Sequence, residues 1–422
     1  MGVPDKQELT LDPQPWMTAS ETQAVIAALS ADGATVQFVG GCVRDALAGR
    51  PVKDVDIATA DPPDRVLELL AMAGVKAIPT GIDHGTVTAV IPPAHFEITT
   101  LRIDTETDGR RARVEFSGDW DADAARRDFT INAIYCDPDG RLFDPTGGIA
   151  DLRAKVVRFV GDPDARIKED FLRILRFFRF TAFYGDLGPA ADGVAACRAN
   201  AASLPSLSGE RVAGEVLRLL ESSNAATVLR VMEENEILQH ILPELNRLDR
   251  LAGLIAIDSD DPDPLRRLAA ASATEQSALH GLADRLRLSN AERERLVAIA
   301  MHAGELSARL NARGRRQLLY RLGAQTVSDV IYLAWAEEST DPRAWRNHLR
   351  SAASWNSPSL PVRGADVLEL GVPHGPTVGL VLEEVENWWV QGDFKADREM
   401  CLRKLQRIVR ARSDDTESGG SD

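Results

Sequence analysis

The hydrophobic pattern changes character once along this chain. Glu21–Leu29 repeats apolar residues at helical spacing. Strand-like and helix-like pieces then alternate over Thr35–Val39, Val43–Leu47, Val55–Ala58, Pro63–Met72, Val75–Ile78, Gly85–Ile91 and Phe96–Leu101. Val114–Phe116 and Ala133–Cys136 add strand candidates. The first 160 residues therefore read as a mixed α/β unit. From about Asp164 strand signals vanish, and Leu, Ala and Arg recur at intervals of three and four, as in Phe171–Tyr184, Gly209–Glu221, Asn290–Ala303, Leu306–Leu322, Val327–Glu337 and Lys395–Arg412. The pattern predicts an α+β chain, a small mixed-sheet head followed by an elongated all-helical neck, body and tail. Expected boundaries are a flexible leader at 1–19, a head at 20–160, a neck at 161–250, a body and tail at 251–412, and a disordered acidic tail at 413–422. Asp258–Pro264 (DSDDPDP) reads as a solvated loop.

Composition adds limits. A chain of 422 residues exceeds one compact core. Cys42, Cys136, Cys197 and Cys401 form no CxxC pair, which argues against a disulfide framework or a structural zinc site and fits a reducing cytoplasm. No apolar run reaches the roughly 18 residues that span a bilayer, and no basic-then-apolar signal opens the chain. The net charge of −15 argues against a nucleic-acid partner for the surface as a whole, although binding depends on local patches.

The candidate chemistry centres on Phe38–Thr59, FVGGCVRDALAGRPVKDVDIAT. On a strand, Asp54 and Asp56 point to one side, about 6.7 Å apart at the backbone, with Val55 and Ile57 toward the core. Two carboxylates on one face repel unless a cation lies between them, and Mg²⁺ takes carboxylate oxygens together with substrate phosphates. A bare Asp-x-Asp is more often a solvated strand end. Here it follows Gly40-Gly41, whose backbone N–H groups can approach a triphosphate, with a helix start beside them. Glu97, in FEITTLR, is the candidate third carboxylate. Arg126-Arg127-Asp128 is either a surface salt bridge or a bidentate phosphate holder. In EDFLRILRFFR (169–179), Arg173, Arg176 and Arg179 share one helix face with Asp170. The plain reading is a solvated basic stripe on an amphipathic helix. The chemical alternative is a base reader, with Asp170 accepting from the exocyclic amine of C or A and Arg173 donating to the neighbouring ring acceptor.

In this order, GGCVRD…KDVDIAT, RRDFTINA, DPTGGIADL, EDFLRILRFFRF and GERVAGEVLRLL resemble the class II nucleotidyltransferases, the family of CCA-adding tRNA nucleotidyltransferases and bacterial poly(A) polymerases. The likeness runs from about Val36 to Leu220 and returns more weakly at 361–385. It implies a polymerase-β-like head and Mg²⁺ on Asp54 and Asp56. It implies that Gly41, Arg44 and Arg127 contact the nucleotide, that Asp170 and Arg173 template CTP and then ATP, and that Arg176 and Arg179 bind nucleotide or phosphate nearby. Thr100–Arg111 is similar to the flexible loop that supports the switch to ATP, which favours full CCA addition to tRNA. The alternatives are a poly(A) polymerase, a CC-only or A-only enzyme, or an inactive RNA-binding scaffold. Phe171 departs from the Pro often found there. Arg266-Arg267, Arg313-Gly314-Arg315-Arg316 with Arg321, and Arg403-Lys404 with Arg407, Arg410 and Arg412 are candidate tRNA contacts, each also readable as a solvated helix face. Oligomeric state is left open.

Overall fold

A computed structural model describes residues 9–108, 111–186, 190–338 and 340–418. The chain divides into two compact units, Met1–Leu248 with Asp284–Leu288, and Asp249–Ala283 with Ser289–Asp422.

The first unit is built on a seven-stranded sheet. Its strands are β1 (Val36–Val39), β2 (Val55–Thr59), β3 (Lys76–Gly81), β4 (Thr86–Ile91), β5 (Ala94–Thr100), β8 (Tyr135–Cys136) and β9 (Leu142–Phe143), in the order β3-β4-β5-β2-β1-β8-β9. Only β2 and β5 run parallel; the other neighbours are antiparallel. The two-residue period sorts the faces. Phe38 and Ile57 join Val25, Leu29, Val43, Val66 and Leu70 from three helices in one core. Val39 and Ala58 pack on the other face with Leu101, Ala124, Tyr135 and Val160. A cluster of rings then joins the sheet to the helix Leu172–Tyr184. Phe129 lies 4.9 Å from Phe159 and 5.2 Å from Phe180, and Phe159 stacks on Phe177 at 5.2 Å.

The second unit is helical among the described residues. One core gathers around Val327, Ile331 and Trp345, another around Val367, Val381, Val385 and Leu405. The segment Ala312–Glu337 is helical on either side of Gly323, whose φ of 77° breaks the run.

Several expectations change. The leader is not loose over its described part. Leu11 and Met17 enter the sheet's core, Trp16 meets Phe38 edge-on at 4.9 Å, and Thr10 bridges to Arg141. Three apolar side chains among polar neighbours show no period, yet their burial holds the segment. The tail's backbone continues the last helix to Ser418, since extending a formed helix costs far less than starting one; the expected disorder at 419–422 lies outside the described residues. The expected loop at 100–111 is a ribbon of β6 (Arg102–Asp108) paired antiparallel with β7 (Arg111–Phe116), and Gly109 and Arg110 lie outside the described residues. The helix expected from Leu306 starts only after Asn311, whose side chain caps it through Gly314 N.

The acidic loop and the first basic stretch of the second unit are also corrected. Asp258 is buried rather than solvated, and Arg266 and Arg267 are 2% and 1% exposed. Arg267 meets Asp258 at 2.7 Å, and Arg266 meets Asp329 at 3.3 Å. Asp263 caps the helix Pro264–Ala271 through Arg266 N. Asp258 folds back onto the arginines that follow and leaves solvent with them, while Asp260 and Asp261 at the tip of the loop stay exposed as expected.

Candidate active site

The site begins where β1 ends. Gly40 turns the chain into the short helix Gly41–Leu47 with φ 72° and ψ −125°, a conformation that disfavours any Cβ. A Cβ there would stand 3.6 Å from Asp56 Oδ2 and 3.8 Å from Arg127 Nη1, so the glycine keeps open the space between a carboxylate and a guanidinium.

Strand register brings the carboxylates together. Asp56 pairs with Val39 on one side and with Glu97 on the parallel strand β5 on the other. Asp54 precedes β2, largely exposed, with Oδ1 3.8 Å from His95 Nε2. Burial pushes the Asp56 carboxyl up to about 6, and the charges of Glu97 and Asp54 add to that; Arg127 and Arg44 oppose it. A cavity of about 580 Å³ opens here, lined by Gly41, Arg44, Arg50, Lys53, Asp54 and Asp56, with Phe183 and Tyr184 from the end of the long helix.

Arg127 is aimed by a buried network. Its Nε and Nη2 donate to Asp123 Oδ2 at 3.2 and 3.0 Å, and its Nε also donates to Tyr135 Oη at 3.1 Å. Tyr135 Oη donates to the same Asp123 oxygen at 2.6 Å, and Arg126 donates to Asp123 Oδ1. Burial would raise the Asp123 carboxyl, but the two guanidiniums outweigh it and hold it below the usual range. Arg44 is similarly engaged. It donates to Asn132 Oδ1 at 2.6 Å and Asp45 Oδ1 at 3.0 Å, and lies over the Tyr184 and Phe180 rings at 4.4 and 5.0 Å.

The base-reading candidates lie where the helix Pro163–Glu169 breaks before Leu172–Tyr184. Asp170 is extended there, with φ −156° and ψ 107°. It does not pair with Arg173. Its Oδ1 accepts from Leu172 N at 3.1 Å, and its Oδ2 from Arg211 Nη2 at 2.6 Å. Arg173 donates to Glu169 and to the Arg166 carbonyl. Arg176 donates to Asp128 Oδ2 at 2.8 Å, and Arg179 to Glu215 Oε2 at 2.5 Å; neither lines the cavity.

The sequence reading thus found the carboxylates and the glycine turn, and missed what orients them. Asp123 had a signal: it sits three and four residues before Arg126 and Arg127, the spacing of helical ion pairs. Arg50 and Lys53 flank the acidic pair. Arg211 and Glu215 sit inside the GERVAGEVLRLL motif, which marked the segment but not their partners, and Tyr135 gave no signal.

All donors of the cluster are hard oxygens, and the mutual repulsion that lifts Asp56 is what a divalent cation would relieve. Among the described residues no group of three or more His, Cys, Asp or Glu is placed to hold a metal ion. What speaks for a cation is the chemistry of Asp54, Asp56 and Glu97 alone, oxygen donors of the kind Mg²⁺ takes together with a ligand's phosphates.

Residues 36–158 match the family model of the poly A polymerase head domain, and residues 190–248 match that of the probable RNA and SrmB-binding site of polymerase A. The chain is 32% identical over 387 residues to the mitochondrial CCA tRNA nucleotidyltransferase 1 of Danio rerio, covering 88% of this chain and 87% of the relative. It is 32% identical over 409 residues to the CCA-adding enzyme of Geobacillus stearothermophilus, covering 93% and 98%. The crystal structure of the Bacillus stearothermophilus CCA-adding enzyme in complex with CTP superposes with a TM-score of 0.77 at 28% identity, over 96% of this chain and 100% of that one. With the head, the glycine turn and the carboxylate cluster in place, this likeness over nearly the whole chain shows that the protein is a nucleotidyltransferase belonging to the class II tRNA nucleotidyltransferase/poly(A) polymerase family.

Proposed function

We propose that this protein adds C, C and A in turn to the 3′ end of tRNA, using CTP and ATP without a nucleic-acid template. The carrying observation is that one unit holds both the carboxylate cluster Asp54, Asp56 and Glu97 and the Asp170–Arg173 junction. The near-full-length likeness to CCA-adding relatives supports tRNA as acceptor, as does the match of 190–248 to an RNA-binding region.

The tRNA 3′-hydroxyl oxygen attacks the α-phosphorus, the bond to the β-phosphate oxygen breaks, pyrophosphate leaves, and the hydroxyl proton passes to solvent. Asp54 and Asp56 would hold Mg²⁺, with Glu97 beside them. When bound, the cation would neutralise charge at the triphosphate and acidify the attacking hydroxyl. The Gly40-Gly41 turn and Arg127 Nη1 receive the triphosphate, and Arg44, Arg50 and Lys53 line the same cavity. Asp170 accepts from the amine of C or A, and Arg173 donates to the ring acceptor beside it. Uracil and guanine present a carbonyl to Asp170 and are refused. Arg176 and Arg179 set the helix that carries Arg173, through Asp128 and Glu215. Four free, buried cysteines suit a reducing compartment, the cytoplasm.

The test is the product formed on tRNA lacking its last three nucleotides. CTP alone should add two residues, and CTP with ATP should add CCA and stop. Long A tails would instead support the poly(A) polymerase reading, and incorporation of only C or only A a partial enzyme.

A further inference from the structure

We propose that the first unit carries a second ligand site, separate from the carboxylate cavity, that takes a small organic cation: an ammonium or guanidinium group on a short apolar stem.

A cavity of about 770 Å³ opens between the start of β1, the hairpin of β8 and β9, and the turn that leads into the helix Trp120–Ala125. It shares no lining residue with the cavity at Asp54 and Asp56. Its size is that of a small-molecule site.

Gln37 marks it. β1 reads VQFV and is buried throughout, so an amide in the second position is out of character for the strand. Gln37 lines the cavity and is 8% exposed. Its Nε2 donates to Asp137 Oδ1 at 2.7 Å, but its Oε1 has no hydrogen-bond partner among the described residues. A buried acceptor left unpaired costs free energy, and a donor entering the cavity removes that cost. The vacant partner is therefore an N–H or O–H group.

The remaining lining agrees in sign. Asp119, Asp121 and Asp137 border the cavity, the first two exposed at its mouth. Arg141 is the one cation among the described lining residues, and it is engaged with Asp137 at 3.1 Å and Asp139 at 3.6 Å. An anion would meet three carboxylates here. A bare metal ion is not matched either, since no group of three or more described His, Cys, Asp or Glu is placed to hold one. Trp120 and Phe143, both half-buried, add aromatic surface. Rings beside carboxylates suit an organic cation, because the ring faces attract the charge and the stem buries against them.

The probe is agmatine, an amine and a guanidinium joined by a short alkyl chain, at physiological ionic strength. Binding is read by fluorine NMR of the full chain labelled with 5-fluorotryptophan, the Trp120 resonance being assigned by Trp120→Phe. Diffuse attraction to a chain of net charge −15 would move none of the seven tryptophans saturably. The expected result is a saturable shift of the Trp120 resonance with a midpoint below about 10 mM, within reach of so small a ligand, and no such shift with glutarate, an anion of similar length. Asp119→Asn/Asp121→Asn removes two charges and keeps the helix cap that Asp119 gives to Ala122 N. Gln37→Met keeps the length of the side chain and removes the acceptor. Each should weaken agmatine by about tenfold, the scale of one lost charge-assisted or buried hydrogen bond. The proposal is overturned if the Trp120 resonance shows no saturable shift, if glutarate shifts it as agmatine does, or if the Asp119→Asn/Asp121→Asn protein binds agmatine within about twofold of wild type. Capped arginine binding at least about tenfold tighter than agmatine would overturn a free small molecule as the occupant, in favour of a side chain from a partner protein.

Discussion

Arg127 owes its direction to Asp123 and Tyr135, and both are buried. Burial raises the Tyr135 hydroxyl well above its ordinary value, so it stays protonated and donates to Asp123 while accepting from Arg127. Tyr135→Phe removes both bonds and leaves the ring contacts. The expected outcome is about 1–2 kcal/mol of lost stability and a several-fold higher KM for CTP, read by denaturant unfolding and steady-state rates. Asp128 shows the opposite balance. Burial would raise its carboxyl, but the Arg176 guanidinium and the Asn132 amide outweigh it and hold it at about 2. A depressed carboxyl stabilises the fold fully above its ordinary value near 4 and loses that contribution as pH falls through about 2. Asp128→Asn should cost about 2 kcal/mol at pH 7, and its deficit relative to wild type should shrink between pH 4 and pH 2 in unfolding measurements.

Among the elements, those with a clear period were legible from sequence. Residues 55–59 read as a short apolar strand broken by Asp56, and Pro63–Met72 and the helix ending at Tyr184 follow the 3.6-residue repeat. Asp144 opens the DPTGGIADL motif, and its carboxylate accepts from Gly148 N and Ile149 N at 2.8 and 2.9 Å. In the ribbon at 102–116, Val114–Phe116 was read as a strand and lies in β7, but its partner was not legible, because β6 reads RIDTETD and has no apolar alternation to report. Nor was the fate of Arg266 and Arg267. Their counter-charges lie at 258, 263 and 329, and a helix-face reading cannot see a partner supplied by tertiary structure. Buried charges of this kind are most costly when one partner is removed. Asp258→Ala is therefore expected to destabilise the second unit by about 3–5 kcal/mol, measurable as an early transition in thermal or denaturant unfolding.

For the whole molecule, the charge of −15 and an RNA acceptor are reconciled only by local patches. Pairing narrows the choice: Arg316 is engaged with Asp393 and Arg403 with Glu399, whereas Arg407 and Arg410 are exposed on the last helix. Replacing Arg407 and Arg410 together with Ala should weaken tRNA binding and lower its salt dependence by about one unit of slope per lost phosphate contact. The choice of CTP over UTP should not change, because the residues proposed to make it, Asp170 and Arg173, lie in the first unit. In the proposed reading, function is divided between a chemical centre at one sheet end, a base-reading junction after it, and an acceptor surface elsewhere. The most direct measurement is transfer by Asp56→Ala, assayed beside tRNA binding by the same protein. Transfer should fall by at least about a hundredfold with binding within a few-fold of wild type; transfer within about threefold of wild type would contradict the role given to the Asp54–Asp56–Glu97 cluster.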